Sequence, residues 1–167
     1  YALERMTDEN SRVLIVGAGL IGLKCAEGLA ERVKKITVCD LAQKVMPSIL
    51  DDEAADMVKS RLEAAGIELL LGDTAAKFDG SKAVMRSGVQ VDFDVLVVAV
   101  GVRPNISLFK DAGGECGRAI TVDSHMRTSI PDIYAAGDCT EMIDISSDGI
   151  KVMALMPIFR AFAQELI

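Results

Sequence analysis

The sequence predicts an α/β fold built on a parallel sheet, and three observations carry that prediction. The apolar segment from Arg12 to Val16 has the composition of a buried parallel strand. It runs directly into a G-x-G-x-x-G turn, and apolar residues at helical spacing follow. A second apolar strand, Ile36 to Cys39, comes next and ends at Asp40. This order of elements predicts a Rossmann-like dinucleotide-binding unit.

The three glycines of the turn have different predicted roles. Gly17 permits the tight turn out of the strand, Gly19 lets the backbone approach a pyrophosphate, and Gly22 lets the helix pack closely on the strand. The positive end of the helix dipole then faces the phosphates. The alternative is a glycine turn without a ligand, because G-x-G-x-x-G alone is a weak signal. The predicted buried face of the helix is Ile21, Cys25, Ala26, Leu29 and Val33.

Asp40 indicates which dinucleotide binds. It follows the glycines at the distance where the fingerprint has an acid for the adenosine ribose. A carboxylate there accepts hydrogen bonds from the ribose hydroxyls and repels a 2′-phosphate, whereas NADP sites need an arginine nearby. The next residue is Leu41, and the nearby cation Lys44 is interpreted as a solvated charge. The sequence therefore favours NAD(H).

The next part of the chain predicts a helix, a strand and a ribbon. Ser48 or Asp51 can cap a helix that Gly66 ends, and Ile67 to Leu71 is predicted to be the third strand. From Asp73 to Asp92 short β segments are separated by Asp-Gly and Ser-Gly turns. We expect an antiparallel β ribbon inserted in the parallel sheet.

Two later apolar segments end at glycine. Val95 to Val100 is predicted to be a central strand, and Gly101 after it to contact the cofactor, because ligands bind beyond the carboxyl ends of such strands. The alternative for Gly101 is a simple strand-end turn. Ile133 to Asp138 is predicted to be a strand that ends in Gly137-Asp138.

Composition excludes several classes of partner. A net charge of −7 over 167 residues disfavours nucleic acid and anionic membranes, and no apolar run has the length of a membrane span. The four scattered cysteines predict neither a metal site nor a redox dithiol and favour a reducing, cytoplasmic compartment. The single histidine, His125, is predicted to be structural. The chain begins at Tyr1 rather than Met, as expected of a piece of a longer protein.

Three blocks in this order resemble the FAD-dependent pyridine nucleotide-disulfide oxidoreductases. They are the glycine block with Asp40, the block from Val98 to Asn105, and the block from Thr128 to Asp138. The resemblance is to the subgroup of NADH oxidases, coenzyme A disulfide reductases and nitrite reductase flavoprotein subunits. It implies a NAD(P)H-binding domain over 1–105 and a partial FAD-domain segment over 106–167.

The resemblance also implies roles for single residues. It places the cofactor pyrophosphate on Gly17, Gly19, Leu20, Ile21 and Gly22. It places the flavin ribityl and pyrophosphate region on Gly137 and Asp138. Where the family usually has a glutamate two residues after the third glycine, this chain has Lys24. The alternative for Lys24 is a solvent-facing side chain without a role.

The implied function is that of a flavoprotein which passes a hydride from NADH to FAD and on to an unknown acceptor. The chain lacks the first FAD-binding glycine motif of the family, so we expect it to be inactive alone. The alternatives are a NAD-sensing module without catalysis and a flavin-free dehydrogenase. In the family, the apolar segment from Met142 to Ile167 would pack on the flavin half that this chain lacks. In this chain we expect the segment to form a homodimer, by an exchanged arm or a close contact between two copies.

Overall fold

The chain divides into two compact units, Tyr1–Gly101 and Val102–Ile167. The structure is a computed structural model, and it describes residues 2–144 and 149–152. In chain order the first unit contains α1 (Ala2–Met6), β1 (Arg12–Val16), α2 (Leu20–Leu29), β2 (Lys35–Asp40), α3 (Asp52–Ala64), β3 (Ile67–Leu71), β4 (Ala75–Asp79), β5 (Lys82–Met85), β6 (Gln90–Asp92) and β7 (Val95–Val98). The second unit contains α4 (Ser107–Asp111), β8 (Ile120–Thr121), β9 (Thr140–Asp144) and β10 (Gly149–Val152).

The first unit is built on a parallel sheet with the strand order β3-β2-β1-β7. Val13 of β1 lies opposite Ile36 of β2 on one side and Val95 of β7 on the other. At the start of β1, the backbone N–H of Arg12 donates a hydrogen bond to the Asp94 carboxylate at 2.8 Å. The guanidinium of Arg12 donates two further hydrogen bonds to the same carboxylate. These bonds lower the pKa of Asp94 to about 2. They fix the register at which β7 enters the sheet.

Both faces of β1 are buried, as the uninterrupted apolar composition predicts. On one face, Val13 and Ile15 pack with residues of α2 and α3. On the other face, Leu14 and Val16 pack with Met85 and other residues of the antiparallel ribbon β4-β5-β6. The predicted α/β fold with an inserted ribbon is therefore confirmed.

The structure corrects two details of the first unit. The predicted central strand, β7, lies at the edge of the four-stranded sheet and ends at Val98. Its apolar composition predicted burial, but strand order depends on pairing, and in this sheet β7 pairs with β1. Ile21 is 63% exposed and does not belong to the buried face of α2. The phase of the helix follows from the packing of Gly22, and its buried residues are Gly22, Leu23, Ala26 and Leu29.

The second unit is organised by the buried carboxylate of Glu141 in β9. Glu141 is 4% exposed, and its oxygens accept hydrogen bonds from the backbone N–H groups of Gly117, Arg118 and Ala119 at 2.9 to 3.1 Å. A Cβ at Gly117 would collide with this carboxylate. The arrangement holds the turn before β8 against β9, its parallel neighbour.

Part of the apolar arm predicted from the sequence lies outside the described residues. Within the described part, β9 pairs with β10 in antiparallel register, with Ile143 opposite Ile150. The segment 153–167 lies outside it, and so does the predicted packing of that segment.

Candidate functional site

An open cleft of about 510 Å³ lies at the carboxyl ends of the parallel strands of the first unit. Six of the residues predicted from the sequence line it: Gly17, Gly19, Leu20, Ile21, Asp40 and Gly101. The structure thus brings together residues that follow β1 and β7 with the last residue of β2. This is the edge of an open α/β sheet at which ligands bind.

The glycine turn is built by two close backbone approaches. Gly17 has a φ of +115°, and a Cβ there would collide with the carbonyl oxygen of Ala99. A Cβ at Gly22 would collide in turn with the carbonyl oxygen of Gly17. Gly22 therefore serves packing and does not line the cleft. Both glycines are required by the protein's own backbone.

Gly19 differs from its two neighbours in the motif. A Cβ at Gly19 would meet no atom of the described residues within 4 Å, so that part of the chain leaves the space open. The backbone of Gly19 has ordinary extended dihedral angles, with a φ of −80°. Packing within the described residues thus gives no reason for a glycine here. An open space beside this backbone fits the close approach of a pyrophosphate.

The start of α2 presents free N–H groups to the same space. Gly19 is the N-cap residue, no side chain caps the helix, and its first turn contains no acidic residue. The first helical hydrogen bond runs from Leu23 N to Gly19 O at 3.0 Å. The N–H groups before Leu23 therefore have no partner within the helix. With the helix dipole they favour an anion.

The Asp40 carboxylate is held beside the glycine turn by backbone donors. Its Oδ2 accepts a hydrogen bond from Ala18 N at 2.6 Å, and its Oδ1 accepts one from Ala42 N at 2.8 Å. Each oxygen keeps a further acceptor position. The carboxylate is thus oriented before any ligand arrives, and it can still accept hydrogen bonds from hydroxyl groups.

Nearby cations are directed away from the cleft. Among the residues that line it, Asp40 is the one with a charged side chain. Lys44 donates to Asp52 at 2.7 Å, and Lys24 donates to Glu27 at 2.7 Å. Lys24 does not line the cleft and has a side chain that is 69% exposed. At the position where the resemblance implies a glutamate, this chain therefore has Lys24, which forms a surface ion pair with Glu27.

Seven further lining residues were not predicted as site residues: Val16, Leu41, Pro47, Ser48, Thr74, Ala99 and Val100. Leu41, Pro47 and Ser48 belong to the segment after β2, and Thr74 follows β3. The rule that ligands bind beyond strand ends could have pointed to this segment and to Thr74. It could not show which residues of a long loop face the cleft.

The predicted flavin residues lie in the second unit, in the turn before β9. The Gly137 carbonyl accepts hydrogen bonds from Thr140 N at 2.9 Å and from Thr140 Oγ1 at 2.8 Å. Gly137 has a φ of +94°. The side chain of Asp138 is exposed. Backbone and threonine contacts thus fix the turn and leave the carboxylate at the surface.

The strand predicted before this turn is wrong. In this stretch Tyr134 forms an isolated bridge with Arg127, and no strand is present over 133–138. The Thr128 hydroxyl donates to the carbonyl of Ile133 at 2.9 Å, and Ile133 N donates to Ile130 O. The Ile133 carbonyl also accepts a backbone hydrogen bond from Thr128 N at 3.1 Å, but the Gly137 carbonyl accepts from Thr140 N in a turn, so the pairing does not extend into a strand.

The described residues contain neither a cluster of metal-ligating side chains nor a helix long and apolar enough to cross a membrane. All four cysteines carry free thiols. Burial raises the pKa of the Cys39 thiol, so this side chain is held in its neutral form. His125 is exposed and approaches Ser124 Oγ at 3.2 Å.

The fold and the cleft together define a Rossmann-like α/β unit with an open crevice at the switch from strand to helix. The family model of the pyridine nucleotide-disulphide oxidoreductases matches residues 2–158. The chain therefore belongs to this family, and the resemblance stated from the sequence is confirmed.

Two curated relatives are similar to the chain over most of its length. An NADH oxidase of Methanocaldococcus jannaschii is 43% identical over 149 residues, which cover 86% of this chain and 33% of the relative. A nitric oxide reductase FlRd-NAD(+) reductase of Salmonella gallinarum is 36% identical over 145 residues, which cover 84% of this chain and 38% of the relative. The chain thus spans between a third and two fifths of the length of these relatives.

Three solved structures share the fold. An FAD-dependent pyridine nucleotide-disulphide oxidoreductase from Desulfovibrio vulgaris has a TM-score of 0.84 and 31% identity, covering 98% of this chain and 43% of that one. The water-forming NADH oxidase from Lactobacillus brevis, bound to NADH, has a TM-score of 0.82 and 29% identity, covering 88% and 34%. Its engineered NADPH oxidase variant, bound to NADPH, also has a TM-score of 0.82, with 26% identity, covering 93% and 35%. FAD and NAD(H) as the predicted cofactors of the family are thereby confirmed.

Proposed function

We propose that the first unit binds NADH within a flavoprotein oxidoreductase that transfers a hydride from NADH to FAD and on to a further acceptor. The observation that carries the proposal is the start of α2. There an uncapped helix end, an open space at Gly19 and an oriented Asp40 carboxylate meet in one cleft. An anionic phosphate group and a pair of ribose hydroxyls fit these three features.

Different residues around the cleft are proposed to bind different groups of the cofactor. The backbone N–H groups of Leu20 and Ile21 would hold the pyrophosphate, and Asp40 would accept from the ribose of the adenosine. Asp40 is the last residue of β2 and Thr74 follows β3, whereas Val100 and Gly101 follow β7 on the other side of β1. The adenosine end of the cofactor is therefore assigned to the side of β3. The nicotinamide end is assigned to the side of β7.

When bound, NADH supplies a hydride from its nicotinamide ring, and the flavin of the parent protein accepts it. The chain contributes binding and orientation to that transfer. Gly137 and Asp138 are proposed to contact the flavin cofactor, since an exposed carboxylate beside a rigid glycine turn can accept from hydroxyl groups. The family match extends through the second unit, which a NAD-sensing module alone does not require. This favours the flavoprotein over the sensor.

Asp40 and its neighbours also support NADH as the preferred nucleotide. The engineered NADPH oxidase carries substitutions at a glycine, an aspartate, the two residues after the aspartate, and a proline. Their spacing is that of Gly22, Asp40, Leu41, Ala42 and Pro47 in this chain. Here the aspartate is retained and Leu41 stands where that variant has an arginine. Among the described residues that line the cleft, a 2′-phosphate would meet a carboxylate and no cation.

The test is a calorimetric titration of the chain with NADH and with NADPH. We expect NADH to bind about 10-fold or more tightly than NADPH, since a like-charge contact near the surface costs more than 1 kcal/mol. The double substitution Asp40→Ala with Leu41→Arg should reverse the preference. The control Asp56→Ala removes an exposed acid of α3 and should leave both affinities unchanged. Equal binding of the two nucleotides by the unaltered chain would contradict the assigned role of Asp40.

A further inference from the structure

The carboxylate of Asp73 connects the antiparallel ribbon to the end of the parallel sheet. Asp73 follows β3, and its Oδ1 accepts hydrogen bonds from Thr74 N at 2.8 Å and from Ser87 N at 3.3 Å. The hydroxyl of Ser87 donates to the other carboxylate oxygen. Ser87 lies in the turn between β5 and β6. One side chain thus ties this turn to the segment that leaves β3.

The backbone of the same segment holds the loop that carries Asp40. Asp73 N donates to the Asp40 carbonyl at 3.0 Å, and Gly72 N donates to the Ala42 carbonyl at 2.9 Å. Gly72 has a φ of +73°, and the side chain of Gln43 occupies the place where a Cβ would lie. The exits of β2 and β3 are therefore joined by two backbone hydrogen bonds and by a close side-chain contact.

These contacts meet at one wall of the cleft. Asp40 and Thr74 both line it, and both are bonded through Asp73. Arg86 N also donates to the Thr74 carbonyl at 2.9 Å, so the ribbon holds Thr74 from a second side. Asp73 itself does not line the cleft. Its contacts reach the cleft through its neighbours.

We propose that Asp73 is a positioning residue for the adenosine end of the nucleotide. Its carboxylate uses the ribbon turn at Ser87 as a brace and keeps Asp40 and Thr74 in the geometry that binds. This inference rests on the proposed function, because the proposed function assigns NADH as the ligand of the cleft. Without the brace, the segment after β3 has more conformations, and binding must order them at a cost in affinity.

A comparison of two ligands, ADP-ribose and NADH, distinguishes binding of the adenosine end from binding of the nicotinamide end. ADP-ribose carries the adenosine and the pyrophosphate without the nicotinamide, so a defect at the adenosine end must weaken ADP-ribose and NADH equally. Asp73→Asn removes the negative charge and replaces one of the two accepting oxygens by an NH2 group, so the charge-assisted hydrogen bond from the Ser87 hydroxyl is lost. We expect it to raise both dissociation constants about 3- to 10-fold, the effect of one or more lost hydrogen bonds. Isothermal calorimetry measures both.

Matched variants distinguish positioning from general damage. Ser87→Ala removes the hydroxyl donor and should act in the same direction as Asp73→Asn, whereas Ser87→Thr retains a hydroxyl and should restore affinity. Asp79→Asn makes the same chemical change at the other turn of the ribbon and should leave affinity unaltered. A thermal melt of each variant separates stability from binding, because a purely structural role lowers the melting temperature and leaves the affinity of the folded chain unchanged.

The possible failures are distinguishable. If the unaltered chain binds ADP-ribose and NADH, and Asp73→Asn and Ser87→Ala bind them equally well, the brace is wrong and the proposed function stands. If Asp73→Asn weakens NADH but leaves ADP-ribose unchanged, the assignment to the adenosine end is wrong. If the unaltered chain binds neither ligand, the proposed function and this inference are both overturned.

Discussion

The two main helices of the first unit begin in opposite ways. Helix α3 has Asp51 as its N-cap, whose carboxylate accepts from Ala54 N at 2.8 Å, and Asp52 and Glu53 occupy its first turn. Helix α2 has Gly19 as its N-cap, with neither a capping side chain nor an acid in the first turn. Both helices pack on the same face of the sheet. Their starts differ although their structural task is the same.

The difference is the one expected if the start of α3 serves stability and the start of α2 binds the proposed ligand. A polar cap and acidic residues stabilise a helix start, and α3 has both. The same residues at α2 would neutralise the site at which an anion is proposed to bind. The apolar side chains of Leu20 and Ile21, in the first turn of α2, are 52% and 63% exposed. The start of α2 therefore lacks the stabilising groups that the start of α3 has.

The largest expected effect comes from giving α2 the cap of α3. Gly19→Asp meets no steric obstacle within 4 Å and has the extended dihedral angles of a capping residue. We expect the free chain to gain about 0.5 kcal/mol of stability. NADH should bind about 100-fold more weakly, because the new carboxylate repels the pyrophosphate at close range. Thermal melts and calorimetry measure the two opposite changes.

The matched control is Gly28→Asp, which adds the same charge to the same helix at a position with open space. It should leave the affinity for NADH close to that of the unaltered chain. If Gly19→Asp bound NADH with undiminished affinity, the start of α2 would not be the phosphate site.

A smaller and purely structural effect is expected at α3. Asp51→Ala removes the cap of Ala54 N and should cost about 1 kcal/mol of stability. The affinity for NADH should not change, since Asp51 does not line the cleft. Chemical denaturation measures the change in stability, and calorimetry measures the affinity for NADH. Asp56→Ala removes an acid of the same helix that does not cap it and serves as the control. A matching loss of NADH affinity would show that the two helix ends are not independent.

The smallest expected effect is the pH dependence that the ion pair between Lys44 and Asp52 contributes at the start of α3. The hydrogen bond and the charge of Lys44 lower the pKa of Asp52 below its ordinary value of 3.8. A carboxyl group with a lowered folded pKa contributes stability that is present above the unfolded value and is lost as the pH falls through the folded value.

The stability difference between the unaltered chain and Asp52→Asn should therefore be constant between about pH 5 and 7 and shrink in stronger acid. Urea denaturation at a series of pH values measures it. The first turn of α2 has no acidic residue and should add no such dependence. A difference that grew in acid would contradict the assigned ion pair.

Local sequence signals explain why much of the fold and part of the site could be predicted. Strand boundaries such as Ile67–Leu71 follow from apolar runs between turn signals, and the cap at Asp51 follows from its position before a helical pattern. Gly17, Gly19 and Asp40 were recognisable because their spacing is set by the geometry of one βαβ unit. The correct predictions depended on residues close together in the chain.

The wrong or missing predictions depended on contacts between distant segments. The strand predicted over 133–138 is reduced to the bridge between Tyr134 and Arg127, because the chain turns on both sides of it: Ile133 N donates to Ile130 O, and Thr140 N donates to Gly137 O. The edge position of β7 depends on strand order, which an apolar run does not encode. Thr74 reaches the cleft through the bonds of Asp73 to segments far away in sequence.

By itself the sequence determined the type of each main element, the glycine turn and the acid that follows it, because these depend on local backbone sterics and helix periodicity. Only the tertiary structure decided why each glycine is needed. Gly17 lies against the carbonyl of Ala99 and Gly22 against that of Gly17, while Gly19 faces open space. The physical reason is that close packing between strands and helix fixes backbone positions that no single segment specifies.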